Sequence, residues 1–309
     1  MSGDITIRTL LPAFRYFIVL ACGLYIYASQ ALGQPFDPDL KKCVMFMRVS
    51  DTTGWSARAT GFIIGTKCVY DSTNQHPFFV TCRHSLRRKS TGQLADSLQI
   101  MVSSTWGTIK HIDTPISKIR SLIFEHPDST VDLVALPLNI PTTANLDHVA
   151  LPHHSLVTKD QFITFNIREG LDVFSIGLFS NHLGSTKIQP IPRFGKISYI
   201  ADEPITWKGR PSELILLDCF SLQGNSGSPV FVPDASRQPN GYPFVYLLGI
   251  VRGSYYETAS VKWEDEVDPS WTTKSNMGLS AVTPIYKLRE LFDTNAVQNF
   301  CISIHSKKK

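Results

Sequence analysis

Ser226 sits in the run Gly224-Asn225-Ser226-Gly227-Ser228-Pro229. Glycine on either side of a serine lets the backbone take dihedrals closed to residues with a Cβ. A tight turn there can present an exposed hydroxyl, with the N–H groups of Gly224 and Ser226 converging on one oxygen. A nucleophile beside two donors for a developing oxyanion is the apparatus of acyl transfer. The turn alone is not distinctive, because G-x-S-G strings arise in any Gly/Ser-rich loop. The chemistry also needs a base and a group to orient it, and two strand-like runs upstream supply them. Phe78-Phe79-Val80-Thr81-Cys82-Arg83-His84 ends in an imidazole, and Val131-Asp132-Leu133-Val134-Ala135-Leu136 carries a carboxylate into an apolar segment, where partial desolvation is expected. His84 is therefore the candidate base, Asp132 its orienting partner and Ser226 the nucleophile. Asp128 competes with Asp132 from a more turn-like setting after Pro127, while His111, His126, His153 and His182 lack matching context and read as surface or core residues.

The elements around these residues follow an all-β pattern, in which short β-branched and aromatic runs alternate with Gly/Pro/Asn/Ser turns. Strands are predicted over 44–49, 61–64, 78–82, 98–102, 119–124 and 133–136, then over 162–167, 173–177, 195–200, 214–218, 229–232, 246–251 and 277–282. One helix of note is expected, at about 285–292. The segment 137–154, with its prolines and few periodic positions, reads as a crossing linker. A chain of 309 residues suits about two domains. With 43% hydrophobic and 18% charged residues it has material for a sizeable core and none of the depletion that marks disorder. The net charge of +4 carries no nucleic-acid footprint, and Lys307-Lys308-Lys309 read as a solvated end.

Arg8 and Arg15 precede an uncharged, mostly apolar run, Tyr16 to Ala28, followed by small residues around Ala31. The run is short of the roughly 20 residues a spanning helix needs. It reads as a secretory signal over 1–31, with an uncleaved membrane anchor as the alternative. Residues 32–42 read as a linker. With Cys22 in the signal, Cys43, Cys68, Cys82, Cys219 and Cys301 remain, an odd number that leaves at least one free thiol. Cys43 with Cys301 and Cys68 with Cys82 are open pairings, and Cys82 and Cys219, in apolar strand settings, read as buried thiols. No Cys/His cluster has zinc spacing, and no acidic run has calcium-loop spacing; no metal and no cofactor is called for.

The segments Thr81-Cys82-Arg83-His84-Ser85, Val131 to Leu136 and Gly224 to Val230 resemble the histidine, aspartate and nucleophile motifs of chymotrypsin-like (trypsin-fold) serine peptidases. In motif style the chain is most similar to bacterial and HtrA-like members. Gly61-Phe62-Ile63-Ile64, Leu248-Gly249-Ile250-Val251 and the run from Gly278 into Phe292 extend the likeness from about Cys43 to Phe292. The residues after Phe292 are too few for the PDZ domain that HtrA members append.

The resemblance implies two six-stranded antiparallel β-barrels packed face to face with a short C-terminal helix. The first barrel, 43–146, would carry His84 and Asp132, and the second, 157–283, Ser226. A crossing linker would span 147–156, the helix 284–294 and a basic tail 295–309. It implies an oxyanion hole from the N–H groups of Gly224 and Ser226. It also implies a substrate pocket with Phe220 at its base and Val251, Arg252, Gly253 and Ser254 along its edge, where Arg252 either favours acidic or polar groups or projects into solvent. Phe220 offers no counter-charge to a cationic side chain, so an apolar or small residue is expected before the scissile bond. Residues 255–275 would form a long loop beside the pocket. Asn225 replaces the aspartate that pairs with a freed amino terminus in zymogen-activated members, so activity should not wait on propeptide cleavage. The implied function is an exported endopeptidase, extracellular or periplasmic, acting on protein or peptide substrates, with membrane contact only through an uncleaved anchor. The alternative is a catalytically inactive homologue that binds proteins on the same scaffold.

Overall fold

A computed structural model describes residues 36–51, 54–55, 59–68, 71–237, 242–263 and 266–306, and the expected export segment lies outside them. Residues 38–233 and 245–309 form one compact unit, which carries every feature below. Of the smaller unit, 1–37 with 234–244, only residues 36–37 and parts of two strands are described.

The first half contains β1 (Val44–Asp51), β2 (Gly54–Trp55), β3 (Ala59–Cys68), β4 (Asp71–Thr81), β5 (Ser97–Ser103), β6 (Ile109–Pro115), a helical turn α1 (Ile116–Ile119), β7 (Phe124–Glu125) and β8 (Val134–Pro137). The strands form one open sheet in the order β6-β5-β1-β3-β4-β8-β7, with β2 paired to β1. A closed six-stranded barrel was expected here, and among the described residues the sheet does not close. Residues 119–124, expected as a strand, are mostly helical turn instead. Ile116, Ile119 and Ile123 recur at helical spacing and pack into the core as a stripe. The chain accordingly coils through α1 and a 3-10 turn, Arg120–Leu122, and leaves two residues to pair with β8.

The sheet is buried on both faces. Met45, Met47, Val49, Ile63, Phe79, Leu98, Ile100, Val134 and Leu136 build the inner core. On the other face Phe78 packs against Phe124, Phe292 and Phe300 at ring separations of 5.3–6.3 Å. This two-sided burial explains why 78–80 is a continuous apolar run rather than an alternating one.

The second half opens with helix α2 (Lys159–Thr164), followed by β9 (Asp172–Gly177), β10 (Ile191–Ile200), β11 (Ile205–Trp207), β12 (Arg210–Ser212), β13 (Ile215–Asp218), β14 (Pro229–Arg237), β15 (Pro243–Trp263) and β16 (Glu266–Pro284), then helices α3 (Tyr286–Phe292) and α4 (Asn295–Ser306). Six strands close into the expected barrel, β10-β13-β16-β15-β14-β9, while β11 and β12 form a separate hairpin.

Three expectations are corrected. Residues 162–167 are not a strand, because Thr158 and Gln161 form a capping box that nucleates α2: Thr158 Oγ1 accepts from Gln161 N–H at 3.2 Å and Gln161 Oε1 from Thr158 N–H at 2.8 Å. Residues 255–263 and 266–275 are no loop but a paired ribbon that continues β15 and β16 out to Trp263 and Glu266. The tail expected over 295–309 is helical to Ser306, with Val297 and Cys301 buried one turn apart. Cys43, Cys82 and Cys219 are free, buried thiols. Neither the Cys43–Cys301 nor the Cys68–Cys82 bridge is therefore formed.

Candidate active site

Two loops of the open sheet carry His84 and Asp132. His84 lies on a 3-10 turn, Arg83–Leu86, entered through the extended residue Cys82 that follows β4. Arg83 ties this turn to the next loop, donating to the Ser129 carbonyl at 2.5 Å. That loop is shaped by Asp128, whose Oδ1 accepts from both the N–H and the hydroxyl of Thr130 at 2.8 Å. The competing carboxylate is thus spent on its own turn, and those bonds hold its carboxyl below the usual range. Asp132 instead faces the histidine. Its Oδ1 accepts from His84 N–H at 2.9 Å and its Oδ2 lies 2.5 Å from His84 Nδ1. With Nδ1 donating to the carboxylate, Nε2 is left as an acceptor, and it lies 3.2 Å from Ser226 Oγ. Burial pushes the Asp132 carboxyl up, but the His84 bonds and charge, with the Arg252 cation, outweigh it and hold it below the ordinary carboxylate range. The imidazole remains reachable, the His84 side chain being 45% exposed against 11% for Asp132.

Ser226 lies on the turn between β13 and β14. Gly224 and Gly227 take the left-handed φ values of 99° and 89°. A Cβ on Gly227 would stand 2.0 Å from the Thr60 carbonyl oxygen, so no side chain fits there. Asn225 holds the turn from within: its Oδ1 accepts from Leu222 N–H and its Nδ2 donates to the Leu178 carbonyl, each at 2.8 Å. A neutral amide serves both roles, since one partner is a donor and the other an acceptor. The N–H groups of Gly224 and Ser226 enter no hydrogen bond among the described residues. Gly224 is buried, so its N–H is a donor awaiting an acceptor.

Thr60, on β3 of the open sheet, was missed from sequence. Its N–H donates to the Ser226 carbonyl at 3.0 Å, and its hydroxyl donates to the Gly224 carbonyl at 2.7 Å while accepting from Leu178 N–H at 3.0 Å. Thr81 secures it in turn, donating to its carbonyl at 2.7 Å. A threonine beside Gly61 carries no local sign of contact with a turn far along the chain.

The expected pocket residues part company. Phe220 is 48% exposed rather than enclosed, and its neighbour Ser221 is the buried residue. Ser254, Ser280 and Asn276 surround Ser221 with neutral hydrogen bonds of 2.6–2.8 Å. Val251 is buried and exchanges backbone bonds with the nucleophile turn, accepting from Gly227 and donating to Ser228. Gly253 lets the Trp207 ring approach to where a Cβ would meet it at 3.2 Å. The Arg252 side chain takes neither expected course: it is 11% exposed and its Nε lies 3.6 Å from Asp132 Oδ2.

Cys82, His84 and Asp132 are the group of metal-ligating types gathered within 4.8 Å among the described residues. Their atoms are already engaged, with Cys82 Sγ donating to the Val251 carbonyl at 3.2 Å and burial raising its thiol well above the usual range. Nucleophile, base, orienting carboxylate and unused N–H donors in one place are the components of acyl transfer.

No family model and no curated protein matches the chain. Solved structures do. The MamO protease domain of Magnetospirillum magneticum, in its apo form, is 14% identical with a TM-score of 0.46, over 82% of this chain and 96% of that one. A thermostable serine protease from an extremophilic microorganism is 11% identical with a TM-score of 0.48, over 83% and 97%. A serine endoprotease from Yersinia pestis is 15% identical with a TM-score of 0.46, over 86% and 68%. These likenesses, at 11–15% identity and TM-scores below 0.5, leave the chemistry to the chain's own residues.

Proposed function

We propose that the protein is an exported serine endopeptidase that cleaves peptide bonds through an acyl-enzyme. The observation that carries this reading is one imidazole held between a buried carboxylate and a serine hydroxyl, 2.5 Å from the first and 3.2 Å from the second. In the first step Ser226 Oγ bonds to the scissile carbonyl carbon while its proton passes to His84 Nε2. The oxyanion that forms accepts from the N–H groups of Gly224 and Ser226, each contributing about 3 kcal/mol. The protonated ring then gives its proton to the leaving amine nitrogen as the C–N bond breaks. Water repeats the sequence on the ester, losing a proton to His84, which returns it to Ser226 Oγ. Asp132 holds the ring in the tautomer that accepts at Nε2 and stabilises the imidazolium between transfers.

The neutral hydroxyl cluster around Ser221 supports a preference for an apolar or small residue before the scissile bond, with low activity on Arg and Lys. The satisfied Asn225 amide supports activity without propeptide cleavage. Export rests on the run Tyr16 to Ala28, and retention of that run would instead anchor the protein to a membrane.

A fluorophosphonate probe tests the reading. The wild type should take the label and Ser226→Ala should not. Folded wild type that stays unlabelled would overturn the enzymatic reading in favour of a protein-binding homologue.

A further inference from the structure

Arg252 is an arginine with very little water around it. Its side chain is 11% exposed, its Nε is buried without a hydrogen-bond partner, and its guanidinium lies 5.9 Å from the centre of the Trp207 ring. A buried guanidinium in such a place is costly unless a charge faces it. The charge that faces it is Asp132, 3.6 Å from Nε through Oδ2, the same oxygen that holds His84 Nδ1. That distance is too long for a hydrogen bond and fits an ion pair. The residue also reaches the other end of the relay, since its carbonyl oxygen lies 3.3 Å from Ser226 Oγ.

Resting on the peptidase reading above, the geometry points to Arg252 as a positioning residue that acts through Asp132. Its cation steadies the carboxylate for His84 and, by sharing Oδ2 with the ring, draws on the charge that Asp132 presents to it. Among the described residues, the other titratable groups packed here are neutral or are cations engaged elsewhere. Cys82, below the histidine, is a buried thiol, and Tyr255 is a phenol held protonated by burial. Arg83 is engaged by the Ser129 carbonyl and Glu125, and Lys208 lies over the Trp207 ring at 5.5 Å.

The test needs a readout that packing alone would not move. In the inert Ser226→Ala background, the proton NMR resonance of the His84 Nδ1–H bridge is followed against pH, with and without Arg252→Gln. Removing the cation should raise the titration midpoint by about 1 pH unit, whereas Arg252→Lys should leave it near its starting value. With Ser226 restored, the acid limb of kcat/KM should move up in the glutamine variant alone. A midpoint unmoved in Arg252→Gln, with only a lower Tm, would reduce Arg252 to a packing residue on Trp207. Should the glutamine variant fail to fold, the lysine variant still decides, because a midpoint raised there by about 1 unit would show that charge is not the cause. A midpoint that moves while the folded wild type takes no fluorophosphonate label would sink the peptidase reading and leave the Arg252 assignment standing.

Discussion

The two halves of the molecule position their share of the site by opposite means. The half with His84 and Asp132 is an open sheet, whose edges are a mostly exposed strand bearing Lys110, His111 and Asp113 on one side and the two-residue β7 on the other. Its site residues hold each other, since His84 donates both its backbone N–H and its ring N–H to Asp132. The half with Ser226 is a closed barrel without edges, yet its nucleophile turn depends on the other half, through Thr60 on Gly224 and Ser226. Closure fixes where the ends of a turn lie, and it does not by itself fix the dihedrals within. Those are set by a glycine pair that permits them and by a threonine across the cleft that selects them.

The largest test of this contrast is chemical. Ser226→Ala should lower kcat by about 10⁶-fold and Asp132→Asn by about 10⁴-fold, measured on a peptide substrate. Equal and small losses would mean that the base–carboxylate pair of the sheet and the turn of the barrel do not work as one unit. The next effect is on stability. Phe79 in the sheet core and Phe231 in the barrel are both fully buried, and truncation of either to alanine should cost about 3–5 kcal/mol in urea unfolding. Both should shift a single transition, because Thr60 and its partners bind the halves together, and two separated transitions would break the comparison. Thr60→Val keeps the shape but strands the Gly224 carbonyl and the Leu178 N–H, so it should cost about 2–3 kcal/mol and lower kcat more than it raises KM.

The smallest effect sits where the sheet meets α3. His126, beside β7, accepts from Asp128 N–H at Nδ1 and faces Glu290 at 3.3 Å. Burial, partly offset by Glu290, holds its ring below the usual histidine range. The folded value lies below the unfolded one, so this contribution is full above about pH 6.5 and is lost as pH falls through the folded value. Stability should therefore decline from pH 7 toward pH 5, and His126→Gln should flatten that decline in urea titrations.

Much of the framework was legible because it is written in local terms. The apolar runs at 44–49 and 78–82 name their strands, and the run from Tyr286 to Phe292 its helix. Two helical segments were also legible but passed over: Thr158-x-x-Gln161 is a capping box, and Ile116, Ile119 and Ile123 keep helical spacing where a strand was read. The closing helix α4 was hidden behind three terminal lysines, although Val297, Phe300 and Cys301 mark its apolar face.

The sequence alone picked out an imidazole, a carboxylate and a hydroxyl, together with the glycines that allow the hydroxyl its turn, because residue type and near-neighbour spacing state chemical capacity and backbone freedom directly. Tertiary structure alone decided that the first sheet does not close among the described residues, that Thr60 reaches the turn at Gly224, and that Arg252 turns inward to Asp132. These depend on which strands become neighbours and on which buried charge can find a counter-charge. Such matters are settled by packing across the whole chain, and no local stretch of residues records them.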